Sequence, residues 1–338
     1  MEKLLISNTP HVRARATTKS IMTDVIIALC PAAVMSVVAF GIRAVVIILL
    51  SMASSVGSEY VFRLIKKEKF KDISKNFDFT SAVTGLILAL NLGTQILDTA
   101  AGYFMPILGG VFAIVVVKML FGGTGKNFVN PAAAARVFLV MSFPIAMTSG
   151  WAATNLASIY ASTVPAGETV LSGLLSRPAA YGLTNVDLLI GTGVAGSMGE
   201  VSKLALIAGG VYLCAKRVID CKYPLILLAA EGLTASLLAG SIDMFLPSIL
   251  SGGLMLGAIF MATDYVTTPN TTAGNVLYFA ALGLVTALLR FKNGSEVVSY
   301  CILLMNFTVP LIDRFIIPKP FGYLKPPKKQ KSDKEAKA

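Results

Sequence analysis

The stretch Phe121-Gly-Gly-Thr-Gly-Lys126-Asn127-Phe-Val-Asn130-Pro131-Ala-Ala-Ala-Ala-Arg136 sets a polar, glycine-rich loop and an arginine between two segments apolar enough to cross a bilayer. Irregular backbone at membrane depth costs several kcal/mol per unsatisfied group unless it lines a cavity or holds a ligand. The chemistry on offer is therefore recognition: two amides, a guanidinium and free backbone groups able to hold a polar molecule among helices. A second break, Phe260-Met-Ala-Thr263-Asp264-Tyr-Val-Thr-Thr268-Pro269-Asn-Thr-Thr-Ala-Gly274, repeats the theme with hydroxyls and a carboxylate. Tight helix packing around Pro131 and Pro269 is the competing account of both. Ionisable residues inside a membrane are rare and usually functional. Arg136, Glu200, Glu231 and Asp264 are each enclosed by apolar or small residues, whereas Asp24, Glu59 and Asp313 read as interfacial, near span ends.

Other patterns are refused. Gly191-Thr-Gly193-Val-Ala-Gly196 matches G-x-G-x-x-G. That fingerprint works only as the strand–turn–helix of a doubly wound sheet, and here membrane spans flank it on both sides. Close helix packing or a broken-helix ligand site fits better. The loop at 122–127 is not a P-loop, because position 120 is leucine and position 127 is asparagine. Cys30, Cys214, Cys221 and Cys301 are scattered, without C-x-x-C spacing or a nearby histidine, which argues against an iron–sulfur or zinc site built by this chain alone. The single histidine, His11, lies in the N-terminal segment.

The elements that must position these residues follow from composition. Of 338 residues 55% are hydrophobic and 14% charged, and the mean hydropathy is +0.74, which excludes an ordinary soluble domain. The expected fold is all-α and polytopic. At about 20 apolar residues per span, spans fall at 21–41, 43–62, 80–97, 102–120, 132–149, 187–213, 223–241, 245–262, 274–290 and 297–317. The sixth carries Gly191, Gly193, Gly196 and Gly199 and is expected to be bent or broken. This gives a segment 1–20 without a cleavable signal, an integral domain 21–317 and a basic tail 318–338. With both termini in the cytoplasm, Lys and Arg divide as 23 on the cytoplasmic side, 2 within spans (Arg136, Lys203) and 4 outside (Arg43, Arg177, Arg290, Lys292), as the positive-inside rule requires. The tail is expected to lie against anionic lipid or a partner protein, not nucleic acid. The stretch at 150–186 is the one long outer loop. Ser81-Ala-Val-Thr-Gly85-Leu-Ile-Leu resembles Ser248-Ile-Leu-Ser-Gly252-Gly-Leu-Met five spans later, which suggests a 5+5 inverted repeat.

Four stretches in order carry a family resemblance: Phe79-Thr-Ser-Ala-Val-Thr-Gly-Leu-Ile-Leu-Ala-Leu90, Lys118 through Phe138, Gly196-Ser-Met-Gly-Glu-Val-Ser202 and Phe260 through Pro269. The chain resembles the NqrB/RnfD family, in particular D subunits of Rnf ion-translocating ferredoxin:NAD oxidoreductase complexes. The resemblance implies a urea-transporter-like fold in a prokaryotic cytoplasmic membrane, other Rnf subunits as partners, and coupling of electron transfer to Na⁺ or H⁺ movement. It also implies FMN joined through its phosphate to a threonine by a flavin transferase, and a non-covalent riboflavin among the helices. The counterpart of the attachment motif is Thr163-Val-Pro-Ala166-Gly167-Glu168-Thr169-Val-Leu171, with Thr169 as the linked residue and Gly167 beside it. Threonine at 163, alanine at 166 and glutamate at 168 depart from the family pattern, so Ser172 and Thr163 are the next choices. Riboflavin contacts are expected from Asn127, Asn130, Arg136, Thr263, Asp264 and Thr268. A channel for a small polar solute, or an anchor subunit without covalent flavin, are the alternatives.

Overall fold

A computed structural model describes residues 16–99, 102–148, 184–191, 196–293 and 297–317, and all regular structure among them is helical. Helices α1 (Thr18–Phe40) and α2 (Ile42–Ile65) are predominantly apolar without a single apolar face, which suits helices with lipid on one side and protein on the other. Ile27, Val34, Leu49 and Val61 point outward, while Ala28, Leu29, Ala44 and Ile47 are buried. After α3 (Phe70–Lys75), α4 (Thr80–Leu90) is buried from Ser81 to Leu90 and stops at Asn91. Gly85 permits this depth, since a Cβ there would lie 2.8 Å from the Ser51 carbonyl oxygen on α2.

A 3-10 turn (Thr94–Asp98) leads to α5 (Phe104–Val111), which continues as a π-helical segment (Phe112–Met119). Next come α6 (Pro131–Ser142), α7 (Pro144–Thr148), α8 (Asn185–Ile190), a 3-10 turn (Met198–Glu200) and α9 (Lys203–Ala215). The second half holds α10 (Lys222–Ala239), a 3-10 turn (Ile242–Met244), α11 (Phe245–Leu250), α12 (Leu254–Leu256) running into a π-helical segment (Gly257–Met261), α13 (Thr272–Asn293) and α14 (Val298–Phe315).

Each expected span has a helical counterpart, but their lengths differ from expectation. Five helices are long and apolar enough to cross a membrane, and a sixth span forms if Ile242–Leu250 and Leu254–Met261, bent by 71°, count as one. This is a multi-pass membrane protein. The remaining apolar helices are Thr80–Leu90, Phe104–Met119, Pro131–Ser142 and Lys203–Ala215. An 11-residue helix reaches only about 17 Å, so α4 alone is too short to cross the ~30 Å hydrocarbon layer. The sixth expected span is broken as its glycines suggest. Gly191 takes φ +92 at the C-cap of α8, where any Cβ would strike the Val201 carbonyl.

Within the first half α2 packs on α4 and α5; within the second, α10 packs on α11 and α13. Across the halves α1 meets α9 and α6 meets α14. The short match between 81–88 and 248–255 falls on unlike local structure, helical around Gly85 and broken around Gly252, where φ is +61. A stronger correspondence is one the hydropathy pattern misses. Lys118 Nζ donates to Glu59 Oε2 at 3.0 Å, and Arg290 Nη1 donates to Glu231 Oε1 at 3.0 Å, each pair 59 residues apart, the first joining α2 to the segment after α5 and the second joining α10 to α13. Glu59 and Arg290, expected from sequence near a span end and on the outer side, are 3% and 2% exposed, and each sits in a buried ion pair. Cys214 and Cys221, far apart in character from any metal motif, are joined to each other across the turn that follows α9, with Cα atoms 5.6 Å apart.

Candidate functional site

A cavity of about 310 Å³ opens where α1, the start of α4, the 124–132 loop and the 259–266 break converge. Its walls are mostly apolar, with Ile21, Val25, Val83, Ile87 and Phe260 among them. The glycine-rich loop reaches it by conformations open mainly to glycine: Gly122, Gly123 and Gly125 take φ +113, +95 and +84. Asn130 then caps α6, its Oδ1 accepting from the amides of Ala132 (3.0 Å) and Ala133 (3.1 Å), while Pro131 occupies the first turn where no donor is needed. The Asn130 amide nitrogen donates to the Met261 carbonyl at 2.9 Å, tying the first break to the second.

Asn127 Nδ2 donates to the Val129 carbonyl at 3.0 Å, and its side chain also bonds Asp264. Thr263 Oγ1 donates to the Ile259 carbonyl at 2.6 Å. Burial pushes the Asp264 carboxyl above its ordinary pKa, although bonds from Val266, Thr267 and Asn127 act in the opposite direction. Asn127, Asn130, Thr263 and Asp264 thus line one cavity.

Two predicted contacts lie elsewhere. Arg136 points from α6 to the core, where its Nη1 donates to Asn91 Oδ1 at 2.7 Å and its Nη2 lies 3.9 Å from Glu200 Oε1. There Ser197 donates to the same carboxylate and Lys203 to the Glu200 carbonyl, so this cluster fastens the break after α8 to the end of α4. Thr268 lines a neighbouring, more polar cavity of about 400 Å³, together with Arg217, Asp220, Tyr223, Asn270 and Asn275. The two cavities share Val218, Ile219, Thr263 and Tyr265. Thr169 and Gly167 lie outside the described residues.

The structure adds Lys118, Thr80 and Thr124 to the cavity wall. Lys118 donates to Glu59 and to the Thr80 hydroxyl, and Thr80 and Thr124 donate to Asp78 at 2.6 and 2.7 Å. Burial alone would raise the Asp78 carboxyl, but the Thr80 and Thr124 bonds and the Lys118 charge hold it below its ordinary pKa. Lys118 ends an apolar run, Val115-Val-Val-Lys118, which makes it look like a span-end residue. Its partner Glu59 is too remote in sequence to reveal the pair.

The family model described as the NQR2, RnfD, RnfE family matches residues 5–322. The chain is 40% identical over 331 residues to the D subunit of the Na(+)-translocating ferredoxin:NAD(+) oxidoreductase complex of Acetobacterium woodii, covering 97% of this chain and 98% of that one. It is 36% identical over 327 residues to the D subunit of the proton-translocating ferredoxin:NAD(+) oxidoreductase complex of Clostridium ljungdahlii (94% and 96% covered). It is 31% identical over 347 aligned residues to the D subunit of the ion-translocating oxidoreductase complex of Marinobacter nauticus (95% and 96% covered).

Proposed function

The chain belongs to the NQR2, RnfD, RnfE family, and we propose that it is the D subunit of an ion-translocating ferredoxin:NAD oxidoreductase complex, carrying flavin on the electron path. Near end-to-end coverage of three D subunits supports this. The names of the first two relatives specify different ions, Na⁺ and H⁺, so the coupling ion is not a family trait. Its partners are the other subunits of that complex and, through the basic tail, anionic lipid. The membrane is the prokaryotic cytoplasmic membrane, with both termini inside. The matching ion pairs and packing order of the two halves support ten spans in a 5+5 inverted repeat.

The observation that carries the flavin reading is the cavity between the two breaks. An isoalloxazine needs an apolar slot with a few fixed donors and acceptors. Val83, Ile87 and Phe260 supply apolar walls; Asn127, Thr263 and Asp264 supply polar groups at one end, and the adjoining polar cavity suits a ribityl chain. When bound, riboflavin supplies reversible electron transfer; the chain supplies orientation, exclusion of water and the charge around the ring. Covalent FMN is assigned to Thr169, through a phosphoester made by a flavin transferase.

Two flavin pools are expected from the purified chain co-expressed with a transferase. Denaturation releases the non-covalent one, and Asn127→Leu or Thr263→Val lowers its yield severalfold. The other survives as a fluorescent band in a denaturing gel, maps to the peptide containing Thr169, and vanishes in Thr169→Val. A dark wild-type band from inserted protein would favour the anchor reading, and absence of both pools would favour the solute channel.

A further inference from the structure

We infer that Lys118, with Glu59 behind it, sets the reduction potential of the molecule held in the cavity; this rests on the non-covalent flavin reading. Lys118 is 3% exposed and lines the cavity, so its ammonium belongs to the cavity wall and not to solvent. Glu59 is also 3% exposed but does not line the cavity. Arg63 lies 3.7 Å from the far side of the Glu59 carboxylate and pairs with Glu68 at 2.9 Å. The acid is therefore shared between a cation facing the cavity and one facing away. Asp78, screened from the cavity by Thr80 and Thr124, is the other anion near Lys118.

The consequence follows from Coulomb's law where water is scarce. Reducing an isoalloxazine adds electrons to the ring, and a fixed cation nearby favours the form with more negative charge. Lys118 thus raises the potential, and Glu59 moderates it by neutralising part of that charge. Both are positioning residues, because neither needs to exchange protons or electrons with the flavin. Lys118 is already committed to Glu59 and Thr80, so its charge is held in place before reduction. Little reorganisation is then needed when the electrons arrive.

The test is a potentiometric titration of the full-length chain in lipid nanodiscs, in a Thr169→Val background where the non-covalent flavin is the one flavin expected. Lys118→Gln should lower the midpoint, Glu59→Gln should raise it, and Lys118→Arg, which keeps the charge, should stay near the parent value. Removing one partner of a buried pair is destabilising, so the neutral pair Glu59→Gln/Lys118→Gln is titrated too. Its midpoint should lie between those of the single variants. Flavin content is measured on each sample by release and chromatography. A parent chain without flavin would overturn the flavin reading and this inference together. A parent with flavin whose midpoint is the same in Lys118→Gln and Lys118→Arg would overturn the inference alone, as would a Lys118→Gln chain that loses flavin while Lys118→Arg keeps it, since Lys118 would then be a binding group.

Discussion

Asp264 lines the cavity and Asp78 accepts from Thr80 and Thr124 in its wall, and their surroundings push the two carboxyls in opposite directions. For Asp264 the cost of burial exceeds what its three hydrogen bonds return, so its folded pKa is raised. The sign follows: stability is present while the carboxyl is protonated and is lost as pH rises through the raised folded value. Asp264→Asn keeps the shape without the charge. Its thermal midpoint, measured across a pH series in detergent, should exceed the parent's at neutral pH, with the gap closing as pH falls toward the ordinary carboxylate value of about 3.9. A gap that widens on acidification would mean that ionised Asp264 is stabilising. At this scale much is legible in the sequence, because amides, hydroxyls and a carboxylate stand out among apolar residues. For Arg136 the sequence leaves internal pairing and ligand binding both open, because a guanidinium on α6 can face either the cavity or the core; its partners Asn91 and Glu200 lie in the core. Lys118 is not legible, because its identity as a buried residue depends on Glu59, on another helix.

Helices show their existence in hydropathy but not their lengths. The expected span containing α4 continues past Leu90, yet the helix stops there, where Asn91, Gly93, Thr94 and Gln95 interrupt the apolar residues. What holds such half-length pieces is polar. Arg290 on α13 donates to Glu231 on α10 and to the carbonyls of Ser248 (3.1 Å) and Ser251 (3.3 Å), and Ser248 Oγ donates to Glu231 at 2.7 Å. The end of α11 and its 71° bend are thereby fastened to two long helices. Glu231→Gln removes the Glu231 charge from beside the buried guanidinium and should destabilise the fold, by up to about 3–5 kcal/mol. Glu231→Leu/Arg290→Met removes both charges and should restore part of that loss. Thermal unfolding of Glu231→Leu, Arg290→Met and the double variant measures the coupling. If the double variant were as unstable as the two single losses added together, the pair would not be what secures the bend.

Across the whole molecule the two halves are alike in a way that residue-by-residue matching barely shows. Few side chains coincide, and the Ser81–Gly85 and Ser248–Gly252 match falls on a helix in one half and a bend in the other. What recurs is an arrangement: a long helix bearing a buried glutamate, a short piece beside it, and a basic residue on a later helix that closes the pair. An inverted repeat makes a definite claim about sides. The Glu59–Lys118 pair and the cavity beside it would lie toward the cytoplasm, and the Glu231–Arg290 pair toward the outside. Single cysteines in a background with the four native cysteines replaced test this with a membrane-impermeant maleimide on intact cells. Asp98→Cys and Asp243→Cys, on exposed turns, should label from outside. Lys69→Cys and Asp220→Cys, also exposed, should label only after the membrane is opened. Labelling of Lys69→Cys and Asp243→Cys from the same side would break the inversion, because the two positions precede α4 and α11, which the repeat makes counterparts of opposite orientation.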